Sequence, residues 1–141
     1  MALSNPYNQY KQTQISTATQ GRLIVMLYEG AIKFLKIAQE NMTPKKYEIV
    51  NTNIQKAQDI ISELMTSLNM DQGGDIAKNL LSLYVYFKKR LLEANMKKDA
   101  AILDEVIVLL TQLCDAWEQI AASDSENSSY ASAKGNFTVE G

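Results

Sequence analysis

Asp71 and Asp75, the glycine pair Gly73-Gly74 between them and the single cysteine Cys114 come nearest to a reactive or ligand-binding pattern. Two aspartates four residues apart in a glycine-bearing stretch suggest calcium, but the EF-hand spacing and its closing glutamate are missing. A glycine-rich loop can cradle phosphate, yet Gly73-Gly74 lacks the Gly-Lys-Ser or Gly-Lys-Thr that such a loop requires. The chain has no histidine. That removes an imidazole base, a Ser-His or Cys-His pair and every imidazole metal site. It also removes the Glu-x-x-His pairs on which di-iron helical bundles depend. One cysteine allows no intrachain disulfide, and Cys114, set in an apolar run, reads as a small buried hydrophobe in a reducing compartment. Carboxylates alone are left as catalytic groups, so the chain reads as non-enzymatic, with no metal and no cofactor.

The elements that would position any such residues are helices. The 141 residues make one domain's worth of sequence, long enough to bury a core without a metal or disulfide staple. Two prolines and six glycines are too little punctuation for many short strands. A net charge of −2 leaves no basic stripe of the kind nucleic acid selects. The densest basic patch, Lys88-Lys89-Arg90 with Lys97 and Lys98, reads as a solvated helix end. The N-terminus has neither the charged start nor the apolar core of a signal peptide, and the longest aliphatic run, Val106 to Leu110, is too short to span a bilayer. A cytoplasmic protein without membrane insertion is expected.

Four helical segments lie between a polar head and a polar tail. The first runs from a Thr19 cap to about Asn41, with Ile24, Leu27, Ala31, Phe34 and Ala38 on one face. The second starts at Thr43-Pro44, a cap followed by a proline that the first turn tolerates, and carries Val50, Ile54, Ala57, Ile61, Leu64 and Leu68. Gly73-Gly74 eases a reversal. The third helix runs from about Asp75 to Asn95 with Ile76, Leu80, Tyr84, Phe87, Leu91 and Ala94 inward. The fourth runs from an Asp99 cap to Ala122 with Leu103, Val106, Leu110, Leu113, Trp117 and Ile120 inward. Helices of about 20 to 25 residues, roughly 30 to 37 Å long, joined by short connections must lie antiparallel. The expected fold is all-α, an antiparallel up-down four-helix bundle over residues 19–122. An N-terminal arm over 1–18 and a disordered, Ser- and Asn-rich tail over 123–141 complete the expected division.

The fourth helix carries more apolar surface than one core stripe needs. Ile102, Val106, Leu109, Leu113, Ala116 and Ile120 form a second series, widened by Ile107 and Val108. Either this helix packs centrally between its neighbours, or part of the surplus forms a groove for another chain. A homodimer would use the same surface, so a structural helical adaptor is the alternative reading. Tyr7, Tyr10 and Ile15 give the head apolar anchors. They describe either an arm docked permanently on the core or one displaced by a partner. Tyr28, Tyr84 and Tyr86, each with an apolar ring and a polar tip, suit a groove edge, and Tyr84 and Tyr86 cannot both face the core.

The order and spacing of several pieces resemble the flagellar secretion chaperone family. They are Asn5-Pro6-Tyr7 with Tyr10, and Met26-Leu27-Tyr28-Glu29-Gly30-Ala31 with Phe34. Next come Lys56-Ala57-Gln58-Asp59-Ile60-Ile61 with Glu63-Leu64, then Leu83-Tyr84-Val85-Tyr86, Arg90-Leu91-Leu92, Ala94-Asn95 and Asp99. Glu105-Val106 and Ala116-Trp117 complete the pattern, which covers about residues 5 to 120. The resemblance implies a cytoplasmic four-helix bundle that binds the C-terminal segment of flagellin. It implies that this binding prevents premature polymerisation and presents flagellin to components of the flagellar type III export apparatus. It also implies that the arm residues Tyr7, Tyr10 and Ile15 cover part of the flagellin-binding surface. With Tyr84, Ile102, Leu109 and Leu113, they form the expected partner-binding set of a monomer or weak dimer.

Overall fold

The computed structural model describes the backbone of residues 20–140 and the side chains of residues 20–123. The expected arm over residues 1–18 lies outside them. The expected tail begins where side-chain description ends, and its backbone continues the last helix. Among the described residues all regular structure is helical: α1 (Gln20–Glu40), a 3-10 turn (Pro44–Lys46), α2 (Tyr47–Ser67), α3 (Met70–Lys97) and α4 (Ala100–Glu140). The chain divides into two compact units, one of residues 26–114 and one holding residues 20–25 and 115–140.

Local chemistry sets each boundary. Thr43 is extended and Pro44 opens the 3-10 turn that leads into α2. Asn69 starts α3, its side-chain oxygen accepting from the Gln72 N–H at 3.0 Å. The helix therefore begins ahead of Asp75, where the glycine pair had suggested a reversal. Gly74 breaks the helical torsions at φ 55° and ψ −132°, so the pair makes a kink inside α3. Lys98 ends α3 in the left-handed region, and Asp99 caps α4 by accepting from Ala101 N–H at 2.9 Å.

Within residues 26–114 the four helical segments form the antiparallel up-down bundle. Three links fix the directions. The end of α1 meets the start of α4, where Gln39 Nε2 donates to the Ala100 carbonyl at 3.5 Å. The start of α2 meets the end of α3, where Lys98 Nζ donates to Asn51 Oδ1 at 2.7 Å. Midway along, Gln58 Nε2 of α2 donates to the Lys88 carbonyl of α3 at 3.1 Å.

The core of this unit holds Tyr28, Ala31, Leu35 and Ala38 from α1 and Val50, Ile54, Ala57, Ile61 and Leu64 from α2. Tyr84, Phe87, Leu91 and Ala94 come from α3, and Leu103, Val106, Ile107, Leu110 and Cys114 from α4. Each fully buried Leu or Ile contributes about 1.5–3 kcal/mol relative to an exposed one. Three helices depart from the expected stripes. On α1, Tyr28 and Leu35 point inward while Leu27 and Phe34 are half-buried, with the Lys56 ammonium over the Phe34 ring. On α3, Ile76 is 72% exposed and Ala77 takes the inward position. On α4, Ile120 is exposed and Ala121 is buried.

In the second unit, α1 and α4 approach closely. A Cβ added to Gly21 would stand 3.2 Å from the Ala121 Cα, so only a hydrogen fits there comfortably. No helix of the described residues is long and apolar enough to cross a membrane.

Candidate partner-binding surface

The core is closed without using all the large apolar side chains. Val85, Tyr86, Leu92 and Met96 of α3 and Val108 of α4 are exposed. On α3 this follows from helical phase. Tyr84, Phe87, Leu91 and Ala94 take the inward stripe, and Val85, Lys89, Leu92 and Met96, spaced 4, 3 and 4, share the opposite face. A shallow depression of about 420 Å³ lies along this face, lined by Tyr86, Lys89, Arg90, Leu92, Glu93, Met96 and Lys97.

A charged cluster braces one side of the depression. Arg90 Nη2 pairs with Glu105 Oε1 at 2.7 Å and Arg90 Nε donates to Glu105 Oε2 at 3.2 Å. This two-point grip joins α3 to α4. Arg90 Nη1 reaches Glu93 Oε2 at 2.5 Å, and the Tyr86 hydroxyl donates to Glu105 Oε2 at 2.5 Å. The Arg90 bond first, and then the Tyr86 bond, hold the Glu105 carboxyl below the usual glutamate range. The same bond to Glu105 is the main cause that pushes the Tyr86 phenol above its ordinary value.

The basic run read as a solvated helix end is divided by the fold. Lys88 is half-buried and hydrogen-bonded to the Ser62 hydroxyl of α2. Arg90 belongs to the α3–α4 grip. Lys98 Nζ is held by Asn51 Oδ1, by the Asn95 carbonyl at 2.7 Å and by Asn95 Oδ1 at 2.8 Å, and lies 5.2 Å from the centre of the Tyr47 ring. Lys89 and Lys97 are the members that stay exposed.

The expected partner-binding residues separate in the same way. Tyr7, Tyr10 and Ile15 lie outside the described residues. Tyr84 is 1% exposed and its hydroxyl meets that of Tyr28 at 2.6 Å, so it sits in the core and not at a groove edge. Ile102 is buried as well. Leu109 and Leu113, one turn apart on α4, are half-buried and share a face. Tyr86 is the exposed member of the Tyr84–Tyr86 pair. Sequence reasoning missed the Arg90–Glu105 grip and the Lys89, Leu92, Met96 face. Arg90 and Glu105 stand almost equidistant from the Lys98 joint, and in an antiparallel pair such positions face each other, which is the signal that could have found them.

This arrangement offers apolar footholds beside fixed charges, and suits it to hold a polypeptide segment. The sequence pattern of "Flagellar protein FliS" matches residues 3–124. The flagellar secretion chaperone FliS of Bacillus subtilis (strain 168) is 38% identical over 127 residues, covering 90% of this chain and 94% of that protein. Its counterpart in Vibrio cholerae serotype O1 is 37% identical over 108 residues, covering 77% of this chain and 79% of its own. The flagellar secretion chaperone FliSB of Pseudomonas aeruginosa is 37% identical over 117 residues, covering 80% of this chain and 93% of its own. With the pattern matched across the bundle and identity sustained over most of its length, the chain belongs to the FliS family of flagellar secretion chaperones.

Proposed function

We propose that this protein is a cytoplasmic, non-enzymatic export chaperone. In this reading it binds the C-terminal segment of flagellin, keeps it from polymerising early and supports its delivery to the flagellar type III export apparatus. One observation carries the reading beyond family membership. The bundle completes its core and still leaves Val85, Tyr86, Leu92, Met96 and Val108 exposed. Apolar side chains grouped on one exposed helix face support an interaction site there.

An amphipathic segment awaiting assembly has apolar side chains of its own to hide. Laying it on a rigid bundle removes both sets from water. Coupled folding and binding of this kind buries on the order of 1,000–3,000 Å², with several kcal/mol spent on ordering the segment, which leaves the affinity moderate and the cargo releasable. Leu109 and Leu113 are the α4 residues proposed to contact cargo. Tyr7, Tyr10 and Ile15 are proposed to form an arm over residues 1–18 that competes for the same surface, with the bundle over 19–122 and the tail over 123–141.

Light scattering with and without the flagellin C-terminal segment tests this. A monomer that forms a one-to-one complex supports the chaperone. A tight homodimer that ignores the segment replaces it with the structural adaptor. Leu109→Asp is expected to weaken cargo binding while helicity stays intact, and deletion of residues 1–15 is expected to change affinity more than bundle stability.

A further inference from the structure

The outer face of α3 has a charge pattern as well as an apolar one. Lys78, Ser82, Val85, Lys89, Leu92 and Met96 recur at spacings of 4, 3, 4, 3 and 4, and all six are exposed. From Lys78 to Met96 the stripe runs about 27 Å, the length of a helix of about five turns. Along the Lys89–Met96 part of the stripe the nearby carboxylates are engaged, Glu93 with Arg90 and Lys97, and Glu105 with Arg90 and Tyr86, while Asp75 stands exposed one turn before Lys78 at the other end. Among the described residues Lys78 and Lys89 have no ion pair, and Lys97 holds Glu93 only at 3.4 Å with most of its side chain exposed. On a chain of net charge −2, this face presents exposed lysines between apolar footholds.

We infer that the α3 stripe binds an acidic amphipathic helix. Its apolar residues enter the depression between Tyr86, Leu92 and Met96, and its carboxylates meet Lys78, Lys89 and Lys97. Complementary charge sets register and orientation, and a mismatched sign is penalised. The inference rests on the chaperone reading, and names the chemistry by which the cargo segment is recognised on this side of the bundle. A segment with basic residues flanking its apolar anchors is rejected by the same face.

The test compares the wild-type full chain with Lys78→Glu/Lys89→Glu and with Leu92→Ser/Met96→Ser. All four positions are exposed, so circular dichroism of the variants should match the wild type. Binding of the flagellin C-terminal segment is measured by calorimetry at low and high salt, with amide shifts mapped by NMR. The expected result is a loss of roughly tenfold or more in affinity for each double variant, about 1.4 kcal/mol, with shifts along α3 in the wild type. The charge-reversed variant should also lose most of the salt dependence. Unchanged affinity in Lys78→Glu/Lys89→Glu overturns the inference and leaves the chaperone reading standing. A wild-type chain that does not bind the segment at all overturns both.

Discussion

The Tyr28 and Tyr84 hydroxyls meet 2.6 Å apart inside the bundle, one donating to the other, with their rings tilted by 54° and their centres 6.3 Å apart. The contact joins α1 to α3 across 56 residues of sequence. Burial outweighs the Tyr28 bond and pushes the Tyr84 phenol above its ordinary value, which favours its neutral form in the core. Tyr84→Phe is expected to lower unfolding stability by about 1–2 kcal/mol, since a buried hydroxyl loses a partner. The double change to Phe at both positions should cost less than the two single changes added together. Urea denaturation of the four proteins measures this, and strict additivity would remove the coupling.

Glu105 predicts an acid limb in stability. Its folded-state value is held below the ordinary glutamate range, first by Arg90 and then by Tyr86. A depressed carboxylate contributes stability above its unfolded value, and that contribution is lost as pH falls through the folded value. The loss therefore lies below the ordinary glutamate range. The carboxylate is partly exposed, so the effect is small. Glu105→Gln should flatten that limb and leave neutral-pH helicity unchanged. Tyr86 runs the other way: its raised value favours the neutral phenol, and the associated stability is lost as pH rises above the ordinary tyrosine range. Stability curves from acid to alkaline pH, with Tyr86→Phe beside Glu105→Gln, resolve the two limbs.

Lys98 sets backbone strain against a side-chain clasp. Its φ of 51° and ψ of 52° suit glycine, and a side chain there costs about 1 kcal/mol. Against that, its ammonium binds Asn51 and Asn95 and faces Tyr47. Lys98→Gly relieves the strain and loses the clasp, so it should be neutral within about 1 kcal/mol. Lys98→Ala keeps the strain and loses the clasp, so it should be the worse of the two in thermal unfolding. An alanine variant as stable as the glycine variant would show that the strain is negligible.

The bundle was legible wherever a helix carried one unambiguous stripe. Val50, Ile54, Ala57, Ile61 and Leu64 of α2 were read as inward and are buried, while Leu68, also read as inward, is half-buried just past the helix end. Ambiguity entered where apolar residues are adjacent. Leu27-Tyr28 and Phe34-Leu35 allow two phases through Ile24, Ala31 and Ala38, and packing chose Tyr28 and Leu35. Small inward residues were passed over for larger neighbours, as Ala77 was for Ile76 and Ala121 for Ile120, because an alanine gives almost no hydrophobic signal. The start of α3 was misplaced because the glycine pair was read as a reversal, whereas Asn69 caps the helix ahead of it and Gly74 only kinks it. On the candidate surface, surplus apolar area was foreseen on α4, but the fullest exposure is on α3. Which apolar residues remain outside depends on how neighbours pack, and periodicity along one helix does not encode that.

Gly74 sets a firebreak into α3. Its torsions interrupt the helical repeat, so the turn from Met70 to Gly73 is not locked to the rod that begins beyond it. Amide exchange is expected to be faster over that turn and the first turn beyond Gly74 than farther along α3. Thermal fraying that starts at this end is therefore expected to halt near Gly74, short of the lysines and apolar footholds farther along, which hydrogen exchange would show.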